Sequence, residues 1–240
     1  MSAALQDLIG ERVSTRLAAH DQLPPPDLDW IPRLIARHDG VPEWWAKNGN
    51  MLLTDHEAIL PRLVPHPGVD LPRGAVVVLG RDANPGEIIL WGSDPLVVLG
   101  PRAQVANATI ACGGPATIWI GPDINCTRQP TLNARNGGLI FVAGDGLWSS
   151  NIKMFTDDMH AIRDVTSRNR VNTFGGSIII EQHVWLGFEA MLLGGAHVGA
   201  GSIVGARALV TSRIPQHCVC LGSPARPVRD NVTWTHEDLP

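Results

Sequence analysis

The residue of this chain best placed to do chemistry is His160, in the stretch TDDMHAIRD, with Asp158 and Asp164 on either side of it. A neutral imidazole can take a proton from a hydroxyl, and a carboxylate on its other ring nitrogen fixes tautomer and orientation. The residues alone leave two readings. Val142, Trp148 and Met154 precede His160 at six-residue steps and are all apolar. His160 therefore either stands in their slot as a satisfied core histidine or begins a loop that leaves it. Asn133, Arg135 and Asn151 lie upstream and could meet polar hydroxyls, although asparagines at turns are ordinary. The segment RDVTSRNRVNTFGG, which opens on Arg163, reads as a loop inserted where it could shape a pocket.

The elements that would position these residues follow an unusual period. The stretch GAHVGAGSIVGARALVTS puts Val198, Val204 and Val210 six residues apart, with Gly199 and Gly205 directly behind two of them. Six is neither the helix period of 3.6 nor the strand period of 2. Cut into sixes, the chain from Ser177 reads SIIIEQ, HVWLGF, EAMLLG, GAHVGA, GSIVGA, RALVTS. The fourth place is aliphatic each time, and two places earlier the residue is mostly small. A hexad repeat of this kind predicts a β-helix, a mainly β solenoid of short strands and turns whose coils stack about 4.8 Å apart. The valines then form an inward ladder around a prism, with the small residues near its corners. Glycine behind the aliphatic place supplies backbone angles that other residues resist.

Residues 1–72 read differently. Leu5, Leu8, Ile9, Val13 and Leu17 share one helical face, and that helix should stop before Pro24-Pro25-Pro26. Further helical pieces are expected over 30–38 and 54–60. The predicted organisation is a helical N-terminal appendage over 1–72, a β-helix over 73–230 and a tail over 231–240. The appendage would serve as an oligomer brace or a cover for one end of the solenoid.

Composition narrows the function. With 240 residues, 44% of them hydrophobic, the chain can bury a sizeable core. A net charge of −4 argues against nucleic acid as a partner. No apolar run is long enough to span a bilayer, and the N-terminus lacks the uninterrupted apolar core of a signal peptide. Four cysteines without a CxxC pair fit a reducing cytoplasm.

HVWLGFEAMLLGGAHVGAGSIVGARALVTSRIP followed by LGSPARPVR resembles the hexapeptide-repeat acyltransferases, whose fold is a left-handed β-helix. DGLWSSNIKMFTDDMHAIRD resembles, more narrowly, the capsule and lipopolysaccharide O-acetyltransferases of that group. The similarity covers about residues 115–230 and is strongest from 139 onward. It implies a homotrimer that binds acetyl-CoA in a cleft between neighbouring β-helices and moves the acetyl group to a hydroxyl of a sugar or glycan. It implies His160 as general base, oriented by Asp158 or Asp164. It implies that Trp185 lines the pantetheine channel and that Gly187, Gly205, Ala206, Thr211 and Ser212 border it. Arg226 would be one of several arginines near the CoA phosphates, with Arg207, Arg213 and Arg229. Asn133, Arg135, Asn151 and Arg163 become candidate acceptor contacts. Relatives often carry a small or hydroxyl residue where this chain has Phe188, so the oxyanion donor would be a backbone N–H near Gly187 or Phe188, or lie elsewhere.

Rival readings are weaker. A γ-class carbonic anhydrase would need paired H-x4-H ligands, which the residues after His183 and His197 do not supply, so no metal is expected. Nucleotide-sugar enzymes that end in a β-helix carry a nucleotide-binding domain that residues 1–72 do not resemble. N-acylation of an amino sugar and a non-catalytic sugar-binding scaffold remain alternatives.

Overall fold

The computed structural model describes residues 7, 9–11, 14–15, 17–18, 26–31, 34–55 and 58–237. Three parallel sheets wrap one interior. The first has nine strands, from Ile35–Arg37 and Met51–Thr54 through Val76–Leu79, Leu96–Leu99, Thr117–Ile120, Leu139–Val142 and Ser177–Ile180 to His197–Val198 and Arg213–Ile214. The second has seven, running from Arg62–Pro65 to Leu209–Val210, and the third has six, from Ile124–Cys126 to Ala225–Asp230. From Thr117 onward the chain visits the first, third and second sheets in turn before each coil closes; the earlier coils have strands in the first and second sheets. All pairings are parallel except Ile35–Arg37 against Met51–Thr54 at one end and Cys218–Gly222 against Ala225–Asp230 at the other. This is a parallel β-helix. Among the described residues no helix is long and apolar enough to cross a membrane.

The six-residue period now has a geometric meaning. Val198, Val204 and Val210 are not one ladder. They lie on the first, third and second sheets, as three successive sides of one coil. Each has its own ladder: Val198 sits between Ile180 and Ile214, Val204 between Leu186 and Cys220, and Val210 beside Leu192. All are buried, as are the small residues Ala190, Ala196, Ser202 and Ala208.

The glycines behind the valines act by space rather than by backbone angle. Gly199 and Gly205 do not have positive φ; the left-handed positions of these turns belong to Gly201 and Arg207. A β-carbon on Gly199 would come within 2.5 Å of the Gln216 backbone nitrogen. The next coil passes too close for any side chain.

The N-terminal region departs from the helical expectation. Ile9 and Leu17 lie in helical turns and are buried, while Leu5, Leu8 and Val13 fall outside the described residues. Within 30–38 the structure has a strand at Ile35–Arg37 instead of a helix. Thr54 ends the strand Met51–Thr54, and 58–60 are not helical. The local propensity for helix loses to sheet pairing: Leu52 and Leu53 face opposite sides of the first sheet and both are buried. Parallel coiling already begins at Met51, which pairs with Val76. A short helix, Glu43–Lys47, drives Trp45 into the end of the main core. Ile9, Leu17, Ile31 and Leu34 instead pack on the outer face of the first sheet against Val76, Val98, Trp119 and Phe141. That cover explains why VVVL, LVVL and LIFV are apolar at every position: both faces of those strands are buried.

Candidate active site

His160 does not stand in the core. After the strand Lys153–Phe155 the chain leaves the solenoid and returns at Ser177–Ile180, so residues 156–176 protrude from the corner between the second and first sheets. The neck is closed by the Gly176 amide donating to the Thr156 carbonyl at 3.0 Å. Asp157 pins the first turn of the loop: it accepts from the Met159 amide at 2.7 Å and from Asn136 Nδ2 at 2.8 Å. Burial alone would raise the Asp157 carboxyl, but these bonds and the Gly175 amide outweigh it and hold it below the usual range. Asn172 ties the loop across its width. Its Nδ2 donates to Asp158 Oδ2 at 2.9 Å and to the His160 carbonyl at 2.8 Å, and its Oδ1 accepts from the Ile162 amide. The His160 backbone is thus clamped on both sides. Its imidazole is exposed, and among the described residues it has no hydrogen-bond partner.

A concavity of about 660 Å³ lies at the base of this loop, with Asp157, Asp158, Phe174 and Thr211 in its walls. His197 and Arg213 line the same space. His197 Nε2 lies 2.7 Å from Glu181 Oε1, and Arg213 Nη1 lies 3.0 Å from His197 Nδ1. A guanidinium only donates, so Nδ1 accepts and the ring proton sits on Nε2, facing Glu181.

The third sheet carries a second group. Trp185 projects outward, 38% exposed, between Leu147 and Ile203 of the adjoining coils. Its neighbour is Trp234, at 6.4 Å between ring centroids. Trp234 is 6% exposed and fastens residues 231–237 to the solenoid. Its ring stacks on His183 at 4.2 Å, its Nε1 donates to the His183 carbonyl, and its own carbonyl faces His183 Nε2 at 2.9 Å. His183 Nδ1 meets Asp145 Oδ2 at 2.8 Å, and His236 Nε2 reaches Asp145 Oδ1 at 3.4 Å. Burial would lower the His183 pKa, but with acceptors on both nitrogens the charged form wins and the value is raised.

No protein-family model matches the chain. It is 31% identical over 137 residues to a galactoside O-acetyltransferase of Lactococcus lactis, covering 47% of this chain and 65% of the relative. It is 30% identical over 142 residues to a polysialic acid O-acetyltransferase of Escherichia coli, covering 59% of this chain and 39% of that one. A putative acetyltransferase of Schizosaccharomyces pombe matches at 35% over 91 residues, 38% of this chain and 43% of the relative. The chain therefore spans less than two thirds of these relatives. Among solved structures, the polysialic-acid-specific acetyltransferase NeuO superposes with a TM-score of 0.65 at 19% identity, over 79% of this chain and 80% of that one. The chain thus shares the parallel β-helix fold of that acetyltransferase.

On this hexapeptide-repeat frame the residues singled out in the sequence fall at different corners. Asp158 and Thr211 line the concavity at the corner between the second and first sheets; His160, on the loop, and Ser212 belong to that corner but do not line the concavity. Asn133 and Arg135 adjoin it, with the Arg135 amide donating to Thr156 Oγ1 at 3.3 Å. Gly187, Gly205 and Ala206 lie at the corner between the third and second sheets, near Trp185. Asn151 lines a separate groove with Lys153 and Arg207, on the second sheet. Arg226 folds back on the Ala225 carbonyl at 2.9 Å, and Arg163 reaches the Arg168 carbonyl at 3.1 Å. Asp164 accepts from the Ser167 and Thr166 amides, so its carboxylate is engaged in its own turn rather than with His160. The Gly187 amide donates to the Val204 carbonyl at 2.7 Å and is not free to serve an oxyanion. Phe188 is exposed. Asn172, His197 and the group of Asp145, His183 and Trp234 were not found by sequence reasoning. His197 occupies the same outward place in its hexad as Trp185, which was a usable signal. The Asp145 partnership joins residues too distant in sequence to leave a local pattern.

Proposed function

We propose that this chain is an acetyl-CoA-dependent O-acetyltransferase acting on a hydroxyl of a sugar or glycan, with His160 as general base. The observation that carries the reading is the contrast within one residue: the His160 backbone is clamped by Asn172 and by the Asp158 carbonyl, while its ring stays open to solvent. A neutral imidazole there takes the acceptor proton as the hydroxyl oxygen attacks the thioester carbonyl carbon. The carbon–sulfur bond then breaks, and the proton passes to the leaving thiolate. Removing such a base typically costs ~10²–10⁴-fold. Asp158, two residues before His160 in the same loop, is the carboxylate assigned to steadying the imidazole. The buried cysteines fit a reducing cytoplasm.

The working unit is a homotrimer. His160 and Trp185 lie on different sides of one prism, so a donor site that uses both needs the loop corner of one copy against the third sheet of a neighbour. Ile162, Val165, Val171 and Phe174 expose apolar surface on the loop, with Val165 at 85%, and support such a contact. The test is thiol release from acetyl-CoA in the presence of sugar acceptors, with light scattering on the same sample. Turnover by a stable monomer would remove the trimer, and full turnover by His160→Ala would remove the base.

A further inference from the structure

One group of side chains outside that site has the makeup of a ligand platform. Trp91 ends the strand Glu87–Trp91, and its partner in the next coil is Gly113. A β-carbon on Gly113 would run into Cε2, Cζ2 and Nε1 of Trp91, so glycine clears the surface on which the indole rests. On one side of the indole stands Arg135, with its guanidinium carbon 5.2 Å from the ring centroid. Asn133 Oδ1 accepts from Arg135 Nε at 3.1 Å, so the terminal nitrogens are the donors left to a ligand. His66, from the adjoining coil, has its ring 4.8 Å from the Trp91 ring and tilted to it by 57°. His66 Nδ1 lies 2.9 Å from the Pro67 carbonyl. A carbonyl only accepts, so Nδ1 carries the proton, and in the neutral ring Nε2 is left as an acceptor. All three side chains are half-buried.

An aromatic surface flanked by a donor fork and an acceptor matches one class of ligand well: a pyranose ring, with an apolar C–H face and a rim of hydroxyls. We propose that Trp91, Arg135 and His66 form a subsite for one sugar of an extended glycan acceptor whose reacting residue lies at His160. The proposal rests on the transferase reading above. The platform is continuous with the loop, because the Arg135 amide is held by Thr156 at the loop's neck. From Trp91 through Gly113 and Arg135 to Asp157 is three coils, about 15 Å at roughly 4.8 Å each. One sugar cannot touch both ends, so the acceptor is a chain running along this corner.

The test compares acceptor lengths. The probes are sialic acid and its linked oligomers, and lactose with longer galacto-oligosaccharides, in two measurements: thiol release from acetyl-CoA, and calorimetric titration without donor. Trp91→Ala should raise KM and Kd for oligomers by about 3- to 10-fold, the range of an aromatic contact. Values for single sugars, and KM for acetyl-CoA, should not move. Trp91→Phe should recover most of the loss, and His66→Ala should repeat part of it, with melting curves checking the fold. Arg135 donors that read a carboxylate would favour the acidic series, and donors that read hydroxyls would treat both series alike. An equal loss for short and long acceptors, or none, would overturn the subsite. If the unmodified chain turns over no acceptor at all, the transferase reading falls. The titration then still decides the platform: length-dependent binding lost in Trp91→Ala keeps it, and no oligomer binding ends it.

Discussion

Two corners of the prism each present a histidine, and they are built in opposite ways. At the His160 corner the hydrogen bonds go to the backbone and the ring is left free. At the corner between the first and third sheets, His183 is occupied through its ring: Asp145 on one nitrogen, the Trp234 carbonyl on the other, and the Trp234 indole stacked on its face. The first arrangement positions a group whose nitrogens stay available to a reactant. The second uses both nitrogens to fasten residues 231–237, and nothing is left over for proton transfer. On the proposed reading, histidine is a chemical tool at one corner and a rivet at the other.

The comparison breaks most readily at His160. His160→Ala should lower kcat by at least ~10²-fold while the melting temperature holds, because no core contact is removed. Asn172→Ala should leave the imidazole in place but free its loop. We expect kcat to fall by about tenfold, less than for His160→Ala, since misplacing a catalytic group by about 1 Å can itself cost up to ~10²-fold. An unchanged rate in single-turnover assays would mean that the clamp is decorative.

At the other corner the order of effects should reverse. Trp234→Ala removes a ring stack and a hydrogen bond to the His183 carbonyl, and should lower stability by about 1–3 kcal/mol. Chemical denaturation reads that directly. Turnover per folded molecule should change less than in His160→Ala. A Trp234→Ala protein of native stability and lost activity would place catalysis at the tail and dissolve the contrast. Trp185→Ala sharpens it further. That residue is exposed, so its loss should weaken acetyl-CoA binding in calorimetry and leave the melting curve alone.

The two corners also differ in how far the sequence reveals them. The hexad pattern is local, so the β-helix and the buried places from Ser177 to Val210 are legible. The same pattern could not say that Val198, Val204 and Val210 belong to three sheets, because side and ladder share one period until the coil length is known. It placed His160 at a fork between core and loop, and only the return of the chain at Ser177 resolves it. Helical spacing misled over 30–38 and 54–60, where pairing with a sheet edge outweighs local preference. Asp145, His183 and Trp234 meet only through coil stacking and the return of the tail, which no short stretch encodes.

The smallest expected effect is that of pH on the tail, and its sign follows from the two shifted groups. His183 has a raised pKa, so its contribution is complete below the unfolded value near 6.5 and fades as pH rises through the folded one. Burial would raise the Asp145 carboxyl, but His183 and His236 lower it, so its contribution is present above the unfolded value of 3.8 and fades as pH falls through the folded one. The tail should therefore be held most firmly between about pH 4 and 6.5. Solvent screens the pair, since the His183 and Asp145 side chains are 31% and 50% exposed, so the whole effect should stay below about 1 kcal/mol. Exchange protection of the Trp234 indole N–H, corrected for the intrinsic pH dependence of exchange, is the natural readout. It should weaken as pH rises above about 6.5, and His183→Asn should erase that step. Flat protection from pH 5 to 8 would mean that stacking alone, and not the charge on His183, fastens residues 231–237.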